Sequence, residues 1–177
     1  PRAMPEAPSF PLLPPGSFRG KVAVVTGGGT GLGLEVSRAF GRLGAVVYVV
    51  SRDASHHETI AAVGKKEGFE VATRVLDVRE PGRVAESIDA IAKERGRLDV
   101  LVNNAAGNFL CPAEKLRAKG WRAVIDIALS GAFYCAQAAG RHMLRRGEGS
   151  IVNVIASGEV KALRITRQGV FRKWFAA

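Results

Sequence analysis

Val22-Ala23-Val24-Val25-Thr26-Gly27-Gly28-Gly29-Thr30-Gly31-Leu32-Gly33 runs four apolar residues straight into a glycine-rich turn. Beyond the turn, Val36, Ala39, Phe40 and Leu43 recur at helical spacing, and Gly44 follows as a stop. The pattern predicts a buried strand, a tight turn and an amphipathic helix. A helix that begins just after such a turn aims free backbone N–H groups and its positive dipole end at one point, which suits a phosphate. Glycine has no Cβ, so it takes positive φ and lets a pyrophosphate approach the backbone. Gly27, Gly29, Thr30, Gly31, Leu32 and Gly33 are therefore candidate ligands of a dinucleotide diphosphate.

Outward from this turn the chain alternates strand and helix. Strand one covers 22–26 and the first helix about 31–43. Ala45–Val50 reads as strand two, a second helix covers about 54–67 up to Gly68, and Glu70–Leu76 reads as strand three. Pro81 opens a third helix, with Val84, Ile88 and Ile91 as its buried stripe and Gly96 as its stop. Leu98–Asn103 is strand four. A long helical region from about Ala118 to Arg146 carries an apolar face of Trp121, Val124, Ile125, Leu129, Phe133 and Ala136, with Trp121 and Phe133 expected in the core. Ser150–Ile155 is strand five. Near-continuously apolar strands alternating with helices predict an α/β fold: a doubly wound parallel sheet, Rossmann-like and truncated after the fifth strand. Its ligand belongs at the carboxyl edge, where strand order reverses. The expected organisation is a Pro-rich leader over 1–20, a nucleotide-binding domain over 21–157 and a basic, atypical tail over 158–177.

The 177 residues, 47% of them hydrophobic, suffice for one domain with a real core. No run of ~18 apolar residues stands out, so no membrane span is expected. Six of the eight prolines lie in residues 1–20, where a secretory signal would be apolar and Arg-flanked. Cys111 and Cys135 have no metal or redox spacing and read as small buried hydrophobes, which points to a reducing cytoplasm and no metal site. His56-His57 reads as solvated, and His142 as a surface group. The net charge of +10 suits either nucleic acid or polyanionic small ligands such as NADP or coenzyme A. Without interleaved exposed aromatics, nucleic acid is the weaker reading.

Thr26-Gly27-x-x-x-Gly31-x-Gly33, together with Asn103-Asn104-Ala105-Ala106-Gly107 after strand four, resembles the short-chain dehydrogenase/reductase family from about Lys21 to Ser157. The resemblance implies that the first motif binds the cofactor diphosphate. The second, including Asn104 and Ala105, braces the central strand near the ribose and nicotinamide. At the end of strand two an acidic residue would accept hydrogen bonds from a ribose 2′-OH and repel a 2′-phosphate. Ser51-Arg52 instead offers a hydroxyl and a guanidinium fork matched to phosphate, with Asp53 expected to point away. The expected cofactor is NADP(H), and the resemblance implies that Asp77-Val78 meets the adenine.

Asn103–Pro112, read NNAAGNFLCP, and Trp121–Phe133, read WRAVIDIALSGAF, look like the 2,4-dienoyl-CoA reductases of this family. That resemblance implies an acyl-CoA substrate, with Asn108 helping to hold the thioester oxygen, Phe109 lining the acyl site and Arg79 meeting coenzyme A. It also implies a homo-oligomer in intact relatives. Donors around an oxygen that gains charge lower the barrier, each by on the order of 3 kcal/mol. The sequence departs from the family after strand five. The usual serine position holds Ala156, with Ser157 one step out of register, and Gly158 stands where dienoyl-CoA reductases have their proton-donating tyrosine. No Y-x-x-x-K occurs, and 158–177 carries a net charge of +4 in text resembling a shifted reading frame or a truncated product. The expectation is NADPH binding with impaired turnover. The alternatives are an inactive nucleotide-binding remnant, or another short-chain reductase acting on 3-oxoacyl or sugar substrates.

Overall fold

All five residues of β1 (Val22–Thr26) are buried, as a parallel strand covered on both faces must be. The computed structural model describes residues 13–107 and 111–155. After β1 come α1 (Gly31–Arg42), β2 (Val46–Ser51), α2 (Ser55–Glu67), β3 (Val71–Val75), α3 (Pro81–Arg95), β4 (Val100–Asn103), α4 (Ala118–Ile125), α5 (Ala132–Arg146) and β5 (Ser150–Asn153). The strands pair in parallel in the order β3-β2-β1-β4-β5. The winding reverses between β1 and β4, so the crevice that such a sheet offers a ligand opens at the carboxyl end of β1.

Alternation along the strands sorts the core into two layers. Val24, Tyr48 and Leu101 share a layer with Val84, Ile88 and Ile91 of α3 and with Cys135, Ala138, Ala139 and Met143 of α5. Ala23, Val25, Val47 and Val49 share the other with Ile60 of α2 and with Val36 and Phe40 of α1. Each fully buried aliphatic contributes roughly 1.5–3 kcal/mol. Outside the sheet, Phe18 of the leader stacks edge-on against Phe40 at 5.1 Å, and its N–H donates to the Leu43 carbonyl. At the opposite end of the sheet from the crevice, Asp99 is buried among Lys21, Arg97 and Arg146.

The long helical region buries only part of the face expected of it: Val124, Ile125 and Ala136 are half-buried, Ala136 against the core. Trp121, Leu129 and Phe133 are 55%, 64% and 57% exposed. The residues buried in the core are Ile127, Cys135, Ala138, Ala139 and Met143. One physical reason is that Asp126–Gly131 forms a π-helical turn between α4 and α5, and its wider turn shifts the phase of any stripe read at 3.6 residues. The other is close packing: a Cβ at Gly131 would stand 2.6 Å from Val78 Cγ2, and α5 meets the core through alanines rather than large rings. Ala118–Arg146 is long and apolar enough to cross a membrane by length and composition, a test that core helices also pass. Cys135 is buried as expected, and burial pushes its thiol up to about 12. Cys111 is only half-buried. Among the described residues β3 and β5 are the sheet's two edges, and at β5 Ile151, Val152, Val154 and Ile155 are exposed.

Candidate functional site

The glycine turn and the segment after β4 hold each other in place. Thr26 Oγ1 accepts the N–H groups of Asn104 and Ala105, both at 2.9 Å. Asn104 Nδ2 donates back to the carbonyls of Thr26 (3.1 Å) and Gly27 (3.2 Å). Asn104 is thus a brace between two loops that meet where the sheet order reverses. Gly27 has φ +64°, a conformation that favours glycine. Thr30, at the start of α1, is extended and makes no side-chain cap bond. The N–H groups of Gly31, Leu32 and Gly33 consequently have no helical acceptor. No acid stands in the first turn of α1, so the positive dipole end faces the crevice unopposed.

A cleft of about 720 Å³ opens in front of this turn. Of the residues singled out from sequence, Gly27, Thr30, Leu32, Gly33, Arg52, Val78, Asn104 and Ala105 line it. Gly29, Gly31, Asp77 and Arg79 do not. Gly29 is packed against the backbone of His56, and Gly31 faces open space at φ +52°. Arg79 donates to both oxygens of Asp77, with Nε at 2.9 and 3.0 Å and Nη2 at 2.5 Å. These guanidinium bonds, outweighing partial burial, hold the Asp77 carboxyl below its usual range. Asn108 and Phe109 lie outside the described residues, as do Ala156, Ser157 and Gly158.

The end of β2 differs from expectation. Ser51 is 8% exposed, and its Oγ lies 3.0 Å from the Asp53 carbonyl and 2.8 Å from His57 Nε2. A hydroxyl has one proton; directed at the carbonyl, it leaves His57 Nε2 as the donor to Oγ. The Ser51 hydroxyl is therefore occupied within its own turn rather than offered to a ligand. His57 is not solvated but buried, and burial, followed by the neighbouring His56, lowers its pKa. Asp53 Oδ1 accepts the N–H and hydroxyl of Ser55 at 2.9 and 2.7 Å, so its carboxylate is engaged at the start of α2 although Asp53 belongs to the cleft wall. His142, too, is more enclosed than a surface group: Nε2 stands 2.5 Å from Asp89 Oδ1 at 19% side-chain exposure.

Sequence reasoning missed His56, Leu76 and Ile127, all on the cleft wall. Ile127 gives no local signal, because the π-helical turn turns it inward; a Cβ on Gly107 would stand 2.5 Å from Ile127 Cδ1. His56 could have been read from its place two residues into α2, close behind Arg52. Among the described residues no three His, Cys, Asp or Glu side chains group as a metal site. Unmatched N–H donors at a helix start and a guanidinium at the end of β2, beside an Asp53 whose Oδ1 is taken by Ser55, could hold the phosphates of a dinucleotide.

Residues 21–164 match the family model described as short chain dehydrogenase. Over 141 residues the chain is 43% identical to a protein of Bacillus subtilis (strain 168) described as a probable 2,4-dienoyl-CoA reductase, covering 77% of this chain and 54% of that one. It is 38% identical over 149 residues to D-threitol dehydrogenase of Mycolicibacterium smegmatis (strain ATCC 700084 / mc(2)155), covering 81% and 55%. Among solved structures, a metagenomic short-chain oxidoreductase in complex with NADP superposes with a TM-score of 0.77 at 30% identity, covering 89% of this chain and 72% of that one. The chain spans about half the length of the curated relatives it matches.

Proposed function

Because the chain belongs to the short-chain dehydrogenase family, we propose that it binds NADPH and serves reduction of an unsaturated acyl-CoA thioester, as a 2,4-dienoyl-CoA reductase does. The observation that carries the cofactor choice is Arg52, exposed on the cleft wall while the adjacent carboxylate of Asp53 is engaged by Ser55. The NADP-bound structural neighbour supports the same choice. Bound in this cleft, the reduced nicotinamide supplies a hydride to the far end of the conjugated thioester. The proton that must follow to the α-carbon has no donor of the family's kind within the 177 residues; what the chain's own residues do is bind, orient and exclude water. The N–H groups of Gly31, Leu32 and Gly33 hold the diphosphate, the Arg52 fork holds the 2′-phosphate, and Leu76 and Val78 flank the adenine. Ile127 and Ala105 exclude water from the other end. By the family resemblance, Asn108 would hold the thioester oxygen, Phe109 the acyl chain, and Arg79 would exchange Asp77 for coenzyme A phosphates.

The test is a fluorescence titration of NADPH and NADH. NADPH is expected to bind more tightly, and Arg52→Ala to weaken NADPH by about 10- to 100-fold while leaving NADH nearly unchanged, as loss of a charge-assisted fork implies. Equal affinities in the parent protein would reject the cofactor choice. A second measurement concerns turnover. No Y-x-x-x-K occurs in the 177 residues, so they supply no proton donor of the family's kind. The 177-residue chain is expected to bind NADPH without consuming dienoyl-CoA; oxidation of NADPH at or above about 1 per second, an ordinary enzymatic rate, would contradict this. The likeness to D-threitol dehydrogenase keeps a polyol or sugar substrate as the second reading, and competition of dienoyl-CoA and threitol for the cofactor-loaded protein separates the two.

A further inference from the structure

The end of β2 is short of a donor. Ser51 and Arg52 together would give a phosphate a hydroxyl and a guanidinium, but the Ser51 hydroxyl is occupied by the Asp53 carbonyl and His57. Of the other cleft-lining side chains that can donate to an anion, Thr30 belongs to the glycine turn and His56 to the segment of Arg52. Two contacts hold His56 there. Its Cβ and carbonyl pack against Gly29 of the glycine turn, where an added methyl would stand 2.8 and 2.4 Å from them. Its Nε2 stands 3.8 Å from Asp53 Oδ2, the oxygen not used by Ser55. His56 also lies in the first turn of the 13-residue α2, whose dipole favours an anion.

We propose that His56 is a second side-chain ligand of the ribose 2′-phosphate, acting beside Arg52 through an imidazole N–H and most strongly when the imidazole carries its second proton. This rests on the NADPH reading above. An imidazole changes charge between about pH 5 and 8, so the preference for NADPH over NADH becomes pH-dependent through this chain's own residue. The charged and titratable groups beside His56 are Asp53, whose Oδ2 lies 3.8 Å away, Arg52 and His57 on the same segment, and Glu58 in the first turn of α2. The glycine turn packed against it, Gly27–Gly31, carries no titratable side chain. At the end of β3, Asp77 is paired with Arg79 and also feels Arg52.

The experiment titrates NADPH and NADH at about pH 6 and about pH 8.5 into the parent chain, His56→Gln, His56→Lys and Arg52→Ala. The phosphate itself titrates near pH 6, so parent and variant are compared at each pH. The parent is expected to bind NADPH about 5- to 10-fold more tightly than His56→Gln at the lower pH and within about 2-fold at the higher, the size of one charge-assisted contact. NADH affinity should be the same in both, which also shows that the variant is folded. His56→Lys, charged throughout, should keep the NADPH preference at the higher pH. Overlapping NADPH profiles for parent and His56→Gln, with the preference still dependent on Arg52, would overturn His56 alone. Absence of any NADPH preference in the parent would overturn the cofactor reading and His56 with it.

Discussion

Asp99→Ala is expected to destabilise the domain by about 3–5 kcal/mol, the cost of removing one partner from a buried ionic cluster. Asp99 is 6% exposed. Its Oδ2 accepts the Val22 N–H and Arg97 Nε, both at 2.8 Å. Its Oδ1 accepts Arg97 Nη2 at 2.6 Å and Arg146 Nη2 at 2.9 Å, with Lys21 Nζ at 3.5 Å. One carboxylate thus ties the start of β1 and the start of β4 to the end of α5, and its loss leaves Lys21, Arg97 and Arg146 to share the exposed carboxylate of Glu148. Against a total of about 5–15 kcal/mol for a domain, the loss should lower the melting temperature by about 10 °C; a shift under about 2 °C would show that the cluster is incidental.

The same residue sets an acid response. Burial alone would raise the Asp99 pKa, but Arg97, the Val22 N–H and Arg146 outweigh it and hold the carboxyl well below the usual carboxylate range. A carboxyl depressed in the folded state contributes stability that is present above its unfolded pKa, about 3.9, and lost as pH falls through the folded value. Below about pH 4 the parent should therefore lose stability with acid more steeply than Asp99→Asn, as measured by denaturant melts at successive pH values. Parallel slopes would contradict the assignment.

Gly33→Ala is expected to lower NADPH affinity by about 100-fold or more, with a smaller effect on stability. The added Cβ would stand 2.3 Å from the Gly27 carbonyl oxygen and 2.4 Å from Asn104 Nδ2, distances that real contacts do not show. Both atoms belong to the hydrogen bond that locks the glycine turn to the segment after β4. To admit the methyl, α1 must move away from the turn, and its N–H groups leave the positions from which, on the proposed function, they would meet a phosphate. Overpacking of this kind costs about 1–3 kcal/mol, so the variant should remain folded and be testable by titration. Parent-like NADPH binding would mean that this turn does not hold the diphosphate.

These expectations draw unequally on sequence and on structure. The strand–turn–helix at 22–43, the alternation that follows it and the parallel sheet were legible in the text, because buried strands and amphipathic helices carry their own periods. So was the cleft, since Gly27, Thr30, Leu32, Gly33, Arg52, Val78, Asn104 and Ala105 converge on it. The outer face of the long helix was not. Trp121 and Phe133 are hydrophobic at the right spacing, yet the π-helical turn and the small residues of α5 put other positions against the sheet. Nor could periodicity reveal that the hydroxyl of Ser51 would be taken up by His57.

Periodicity and backbone chemistry act over a few residues, and so the order of elements and the glycine turn were written in the chain itself. Hydrogen-bond partners, the clearance at Gly33 and the neighbours of Asp99 depend on segments up to 79 residues apart. Only the folded sheet brings those together, and it alone decided which of the marked side chains are left free to meet a ligand.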